Sequence, residues 1–131
     1  MAASQNNLSL VINQQDSSGV NIINRQVGAI AYGGIAGEFD KRTLAADTNS
    51  HALDLPVATV LQFFFKNTHT SANITLTGTK SGGASQTLCV VPPGGVFVYW
   101  SPLSTGTGVG FTALNYQSDV ASASAEMFLG G

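Results

Sequence analysis

The chain has 131 residues, enough for one domain that buries about two-thirds of the surface its unfolded form exposes, so neither a disulfide nor a metal is needed to hold it. Hydrophobic residues make up 44% and charged residues only 9%, against roughly 25% charged in a typical soluble protein; Ser, Thr, Asn, Gln and Gly must therefore supply a neutral surface with little repulsion between copies. A formal net charge of −2, with only Arg25, Lys41, Arg42, Lys66 and Lys80 as cations, leaves no basic stripe to neutralise a row of phosphates and argues against direct nucleic-acid binding, and no segment approaches the roughly 18 continuous apolar residues of a membrane span.

Residues 1 to 7 are polar and unpatterned, and predict a flexible N-terminal arm ahead of a single domain over residues 8–131. They carry no basic region followed by an apolar stretch of signal-peptide length, so synthesis in a cytoplasm is expected. Leu8 to Ile12 reads as a first short strand, ended by the turn cluster Asn13 to Gly19. From Val20 to Ala36 an apolar run is broken by Gly28, Gly33 and Gly34, which predicts one strand or two with a bulge. Glu38 to Asp54 is the most polar and charged segment and reads as a long surface excursion, with a helical turn or short edge strand around Thr43 to Ala46.

Pro56 then introduces a strand over Val57 to Lys66. Its apolar residues occupy both alternation classes: Val57, Leu61, Phe63 and Phe65 point one way, Val60 and Phe64 the other. A domain of this size has too little chain for a third layer, so the second face predicts a partner subunit. Asn67 to Ser71 reverses the chain into Asn73 to Thr79, where Ile74 and Leu76 face the core and Thr75, Thr77 and Thr79 face out. Lys80 to Ser85 forms a hairpin loop into Gln86 to Val91. In Pro92-Pro93-Gly94-Gly95, Pro93 fixes φ for the second position of a type II turn and Gly94 supplies the positive φ of the third, which predicts an antiparallel hairpin between Gln86–Val91 and Val96–Trp100. Phe97 and Tyr99 share one face of that last strand, opposite Val96, Val98 and Trp100. After a loop over Ser101 to Gly110 come two strands, Val109 to Tyr116 and Val120 to Leu129. In the second, Ala121, Ala123 and Ala125 alternate with Ser122 and Ser124, slim side chains that would admit a neighbouring layer or subunit. These elements define an all-β fold, a jelly-roll-like antiparallel β-sandwich of about eight strands.

The titratable groups are sparse. Asp40, Asp47, His51 and Asp54 are the densest grouping, and their spacing matches no metal-ligand motif, so they read as charges that keep a loop at the surface. His69 reads as a turn residue. Cys89, the only cysteine, sits in the apolar strand QTLCVV as a small buried hydrophobe. No nucleophile elbow, phosphate loop or paired-cysteine motif occurs, and Gly106 to Gly110 lacks the strand-then-helix setting of a dinucleotide loop. Neither an enzymatic activity nor a cofactor or metal is expected. The acceptor patterns Asn7-Leu8-Ser9 and Asn73-Ile74-Thr75 carry no weight without secretion. Phe64, Phe97, Tyr99 and Trp100 could stack on a sugar, but they lie mid-strand among Val and Phe, which suits core or subunit interface better. The interface candidates are Val60, Phe64, Phe97, Tyr99, Ala121, Ala123 and Ala125.

The stretch FFFKNTHTSANITLTGT, then VVPPGGVFVYWSP and the closing FTALNYQSDVASASAEMFLGG, resembles small virion proteins of tailed bacteriophages in which a knob of strands decorates the capsid or forms part of a tail. The resemblance spans most of residues 57 to 131 and rests on the style of the sequence. It implies a non-enzymatic structural protein, often trimeric, that binds the major capsid protein or other virion proteins once the shell has expanded. The leading expectation is a capsid decoration or cement protein carried on the virion. The alternatives are a receptor- or glycan-binding module of a tail or head fibre, using the Ser/Thr/Gly loops at 80–85 and 101–110, and a tail or baseplate component.

Overall fold

The computed structural model describes residues 4–34, 37–43, 49–101 and 109–131. Where sequence reading placed an arm over residues 1–7 and one domain from residue 8, the chain divides into two compact units, Met1–Gly34 and Ile35–Gly131. Every regular element among the described residues is a β-strand.

In the first unit, β1 (Ser4–Gln15) pairs antiparallel with β2 (Asn21–Gly34), from Ser4 opposite Gly34 to Gln15 opposite Asn21. Residues 4 to 7 thus lie in the ladder. The register shifts where Leu8 and Leu10 face Ile30 and Val27, so Gly28 and Ala29 stand against Ser9 alone, the bulge that the glycines predict. Asp16 builds the connecting turn: its Oδ1 accepts the backbone N–H of Ser18 (2.8 Å) and of Val20 (3.0 Å). This is the local side-chain capping that makes Asp a turn residue.

The second unit contains β3 (Gly37–Thr43), β4 (His51–Ala52), β5 (Gln62–Asn67), β6 (Ile74–Lys80), β7 (Ser85–Val91), β8 (Val96–Trp100), β9 (Phe111–Ser118) and β10 (Ser124–Gly130). They form two four-stranded antiparallel sheets, β3-β10-β5-β8 and β4-β9-β6-β7. The pairing is nested: β6 pairs with β7, β5 with β8, β4 with β9 and β3 with β10, as if one long hairpin had been folded over on itself. The two sheets enclose one core, the sandwich expected of an all-β chain with this alternation.

The core is set by alternation within each strand. Phe63 and Phe65 of β5, Met127 and Leu129 of β10, Ile74 and Leu76 of β6 and Leu114 of β9 are all buried. Fully burying each such side chain contributes about 1.5–3 kcal/mol. The sheets meet directly where the Tyr99 and Phe111 rings stand edge to face, 4.6 Å apart, with the Lys80 ammonium 5.5 Å from the Tyr99 ring centre and 5.8 Å from that of Phe111.

Several elements depart from the sequence reading for identifiable reasons. The strand expected to begin at Val57 begins at Gln62. Before it the chain changes sheets: Val60 exchanges both backbone hydrogen bonds with Phe111, at 2.8 Å each, while Leu61 N–H donates to Gly130 O, also at 2.8 Å. At such a corner successive side chains both turn inward, and Val60 and Leu61 are buried together. The charged segment from Glu38 is no free excursion, because Gly37–Thr43 is strand β3 along β10. The helical turn or edge strand expected around Thr43 to Ala46 lies largely outside the described residues.

The turn at Pro92–Gly95 has the expected geometry, with Gly94 at φ +71° and Gly95 N–H donating to Pro92 O at 2.8 Å. It does not make a hairpin. β7 and β8 belong to different sheets, and the turn is a corner between two sheet edges. Asn67 fixes this choice: Gly94 N–H donates to Asn67 O and Asn67 N–H to Gly95 O, both at 3.0 Å, which binds the turn to β5 and delivers the next strand into β5's sheet. The last strand is shorter than expected, Ser124–Gly130, preceded by a turn in which Ser122 holds φ +56°.

Candidate interaction surface

The inward side of β5, β8 and β10 fixes what lies on the outward side. In β5 the outward residues are Phe64, half-buried, and Lys66, exposed; in β10 they are Glu126 and Phe128, both half-buried. In β8 Phe97 and Tyr99 pack against the core, while Val96 and Val98 are 53% and 42% exposed. Register then places them in rows across the sheet: Phe128, Phe64 and Val98 in one, Glu126, Lys66 and Val96 in the next. The Trp100 ring stacks near Phe128, centroids 6.2 Å apart and planes 20° from parallel. The outcome is an apolar strip of Phe64, Val96, Val98, Trp100 and Phe128 on the outside of the sandwich, bordered by one acid and one base. Trp100 Nε1–H is buried and meets no acceptor among the described residues.

The opposite sheet presents a different outer face. Thr75, Thr77 and Thr79 of β6 stand beside Gln117, Asn115 and Ala113 of β9, a neutral, hydrogen-bonding surface of the kind the composition requires.

The expected interface residues divide between these regions. Val60 and Ala123 are wholly buried in the core of the protomer and Ala125 is 2% exposed, so none of the three has a surface to offer a neighbour. Val60 turns inward at the sheet-crossing corner, and Ala123, just before β10, and Ala125, within it, belong to the protomer's own core. Phe97 and Tyr99 also face inward, half-buried against the core. Ala121 is exposed in the turn before β10, and Phe64 lies on the outer apolar strip. The strip residues Val96, Val98, Trp100 and Phe128 were not among the interface candidates. The alternation of Val96-Phe97-Val98-Tyr99-Trp100 separates Val96, Val98 and Trp100 from Phe97 and Tyr99 once one side is assigned to the core, and that assignment, like the place of Phe128 beside Phe64, requires the sheet.

The titratable candidates do not converge. Asp47 and the Asp40 side chain lie outside the described residues, Asp54 is exposed, and His51 stacks with Tyr116 at a centroid distance of 5.6 Å. Among the described residues no three His, Cys, Asp or Glu side chains come together as a metal-holding group. His69 lines a shallow cleft of about 440 Å³ with Lys66, Thr68 and Pro93, but its Nδ1 accepts the backbone N–H groups of Ser71 (3.1 Å) and Ala72 (2.9 Å), which gives the ring a structural task in the turn. Cys89 is partly buried, and that burial pushes its thiol pKa up, away from the reactive thiolate. Asp119 grips Asn73 through both oxygens, Oδ1 to the backbone N–H and Oδ2 to the side-chain amide, each 2.8 Å. The hydrogen bond from the Asn73 side chain, then that from its backbone, hold the Asp119 carboxyl below its ordinary range. No helix among the described residues is long and apolar enough to cross a membrane.

No protein-family model, no curated protein and no solved structure matches this chain.

Proposed function

We propose that this chain is a non-enzymatic viral structural protein, a cement or decoration protein that associates with itself and with the major capsid protein of a phage head and reinforces the shell. The observation that carries the reading is the outer strip of Phe64, Val96, Val98, Trp100 and Phe128, apolar side chains that the sandwich leaves on its outside. Burying such a strip at about 25 cal/mol per Å², repeated over many copies, stabilises an assembly by area alone. The nested pairing of β3 to β10 supports it further: β3-β10-β5-β8 and β4-β9-β6-β7 is the strand order we read as a jelly roll, an architecture that viral capsid domains use and lectin domains share. The paucity of charge, 9% of residues, suits close neighbours and an attachment that does not depend on salt.

The test is location and salt response. Antibodies against the purified chain are expected to decorate the heads of the virions that carry it, and the protein is expected to stay bound as salt is raised toward about 1 M, where exposed charge pairs are screened within about 3 Å. Release by salt, or label confined to tails, overturns the reading.

The threonine-rich outer face of the second sheet, together with the exposed loop Ser81–Ala84, favours one other reading, a glycan-binding module. A glycan array separates the two. The cement protein gives no signal and the module does.

A further inference from the structure

The two edge strands of the β3-β10-β5-β8 sheet differ in charge. Natural sheets guard exposed edges with charge, because an unguarded edge recruits another strand. β3, at one end, carries Glu38, Asp40, Lys41 and Arg42 among its seven residues. β8, at the other end, reads Val-Phe-Val-Tyr-Trp and carries no charge at all.

The backbone of β8 shows which groups meet that edge. Asn67 N–H bonds Gly95 O at one end of the β5/β8 ladder, and Ser101 N–H bonds Leu61 O at the other. In an antiparallel pair, directly opposed residues alternate between hydrogen-bonded and non-bonded. With Phe64 opposite Val98, the bonded pairs are therefore Phe65 with Phe97 and Phe63 with Tyr99, and the N–H and C=O groups of Val96, Val98 and Trp100 turn away from β5 toward an edge that no strand among the described residues pairs. These are also the residues whose side chains lie on the outer strip.

We infer that β8 pairs antiparallel with β8 of a second copy of this chain, about a two-fold axis at Val98. In that register Val98 opposes the second copy's Val98 and Val96 opposes its Trp100, so all three outward-turned residues make bonded pairs. Directly opposed residues share a face, which sets apolar against apolar throughout. The row Phe128, Phe64, Val98 then continues across the axis into its own mirror sequence, and the two sheets become one with a single apolar outer face. The strand itself is uncharged and the formal net charge of the chain is only −2, so charge opposes the approach little. A five-residue edge is small beside the roughly 800 Å² per partner of a standard interface, so the pairing is concentration-dependent in solution and gains its strength in an assembly that holds copies close. The contact is two-fold and does not make the trimer that the family resemblance implies.

The inference deepens the self-association within the proposed function, and its test uses the purified 131-residue chain with no virus particle, so a failure here leaves attachment to the shell to its own experiment. In sedimentation equilibrium the mass is expected to rise with concentration from 13.5 kDa to twice that value and no further. Val98→Lys places like charges together at the axis. Val98→Pro removes one outward N–H while sparing the bonds to β5, as proline is tolerated on an edge whose N–H faces outward. Both variants are expected to stay monomeric at every concentration with an unchanged far-ultraviolet spectrum and thermal midpoint. A wild type that stays monomeric, a trimer, or dimerisation of folded Val98→Lys and Val98→Pro variants equal to the wild type's would each overturn the pairing.

Discussion

Asn67 is fully buried, and its side chain joins three parts of the chain: Nδ2 donates to Ala72 O (2.7 Å) and Val91 O (3.0 Å), and Oδ1 accepts from His69 N–H (3.0 Å). Removing one partner of a buried hydrogen bond leaves the other unsatisfied, at about 1–3 kcal/mol. Asn67→Ala is therefore expected to lose about 2–3 kcal/mol, read as a lower denaturant midpoint at unchanged slope. Asp119 acts in a pH-dependent way. Its carboxyl is held below the ordinary range by Asn73, so the folded chain binds this proton less readily than the unfolded one. The stabilisation is complete above the ordinary carboxylate pKa and drains away as pH falls from there through the lowered folded value. Comparing denaturant midpoints across that acidic window, wild type is expected to fall more steeply than Asp119→Asn, which has no carboxyl to protonate.

At the scale of elements, β10 and the corner before β5 show where alternation can be read from residues and where it cannot. Ile74 and Leu76 in β6, and the positive φ at Gly94, were legible because each depends only on neighbours in the chain. The partner of β8 was not: a Pro-Gly turn fixes a local reversal, and only the bonds from Asn67 across many residues decide which sheet receives the strand. Val60 misled because alternation was carried through a bend at which the chain changes sheets. Ala123 and Ala125 misled because a small residue signals close approach without saying whether the approaching layer is the same molecule or another. Ala125→Leu tests that assignment. In a closed core the added bulk costs about 1–3 kcal/mol, so thermal unfolding is expected to move down while the mass of the protein in solution stays as in wild type.

For the whole molecule, the fold class was open to reading because turn residues and period-two patterning recur along the chain, whereas the pairing order is a property of distant segments. β6 and β7 are joined by a short loop, yet β3 and β10 bring Gly37 against Gly130. Such non-local closure is slow: domains of this kind fold in milliseconds to seconds. Refolding followed by fluorescence of Trp100, the only tryptophan, is expected to fall in that range, and a microsecond phase carrying the whole amplitude would contradict the nested order.

The meeting of Gly37 and Gly130 has a mechanical corollary. Because the sandwich starts and finishes on a common rung, tension drawn between its two ends opens the β3/β10 ladder as a zipper, one rung at a time, where a sheared ladder would resist with all its bonds together. Stress spread across a broad flank avoids that weakest direction, whereas a tether hung from the extremities finds it at once.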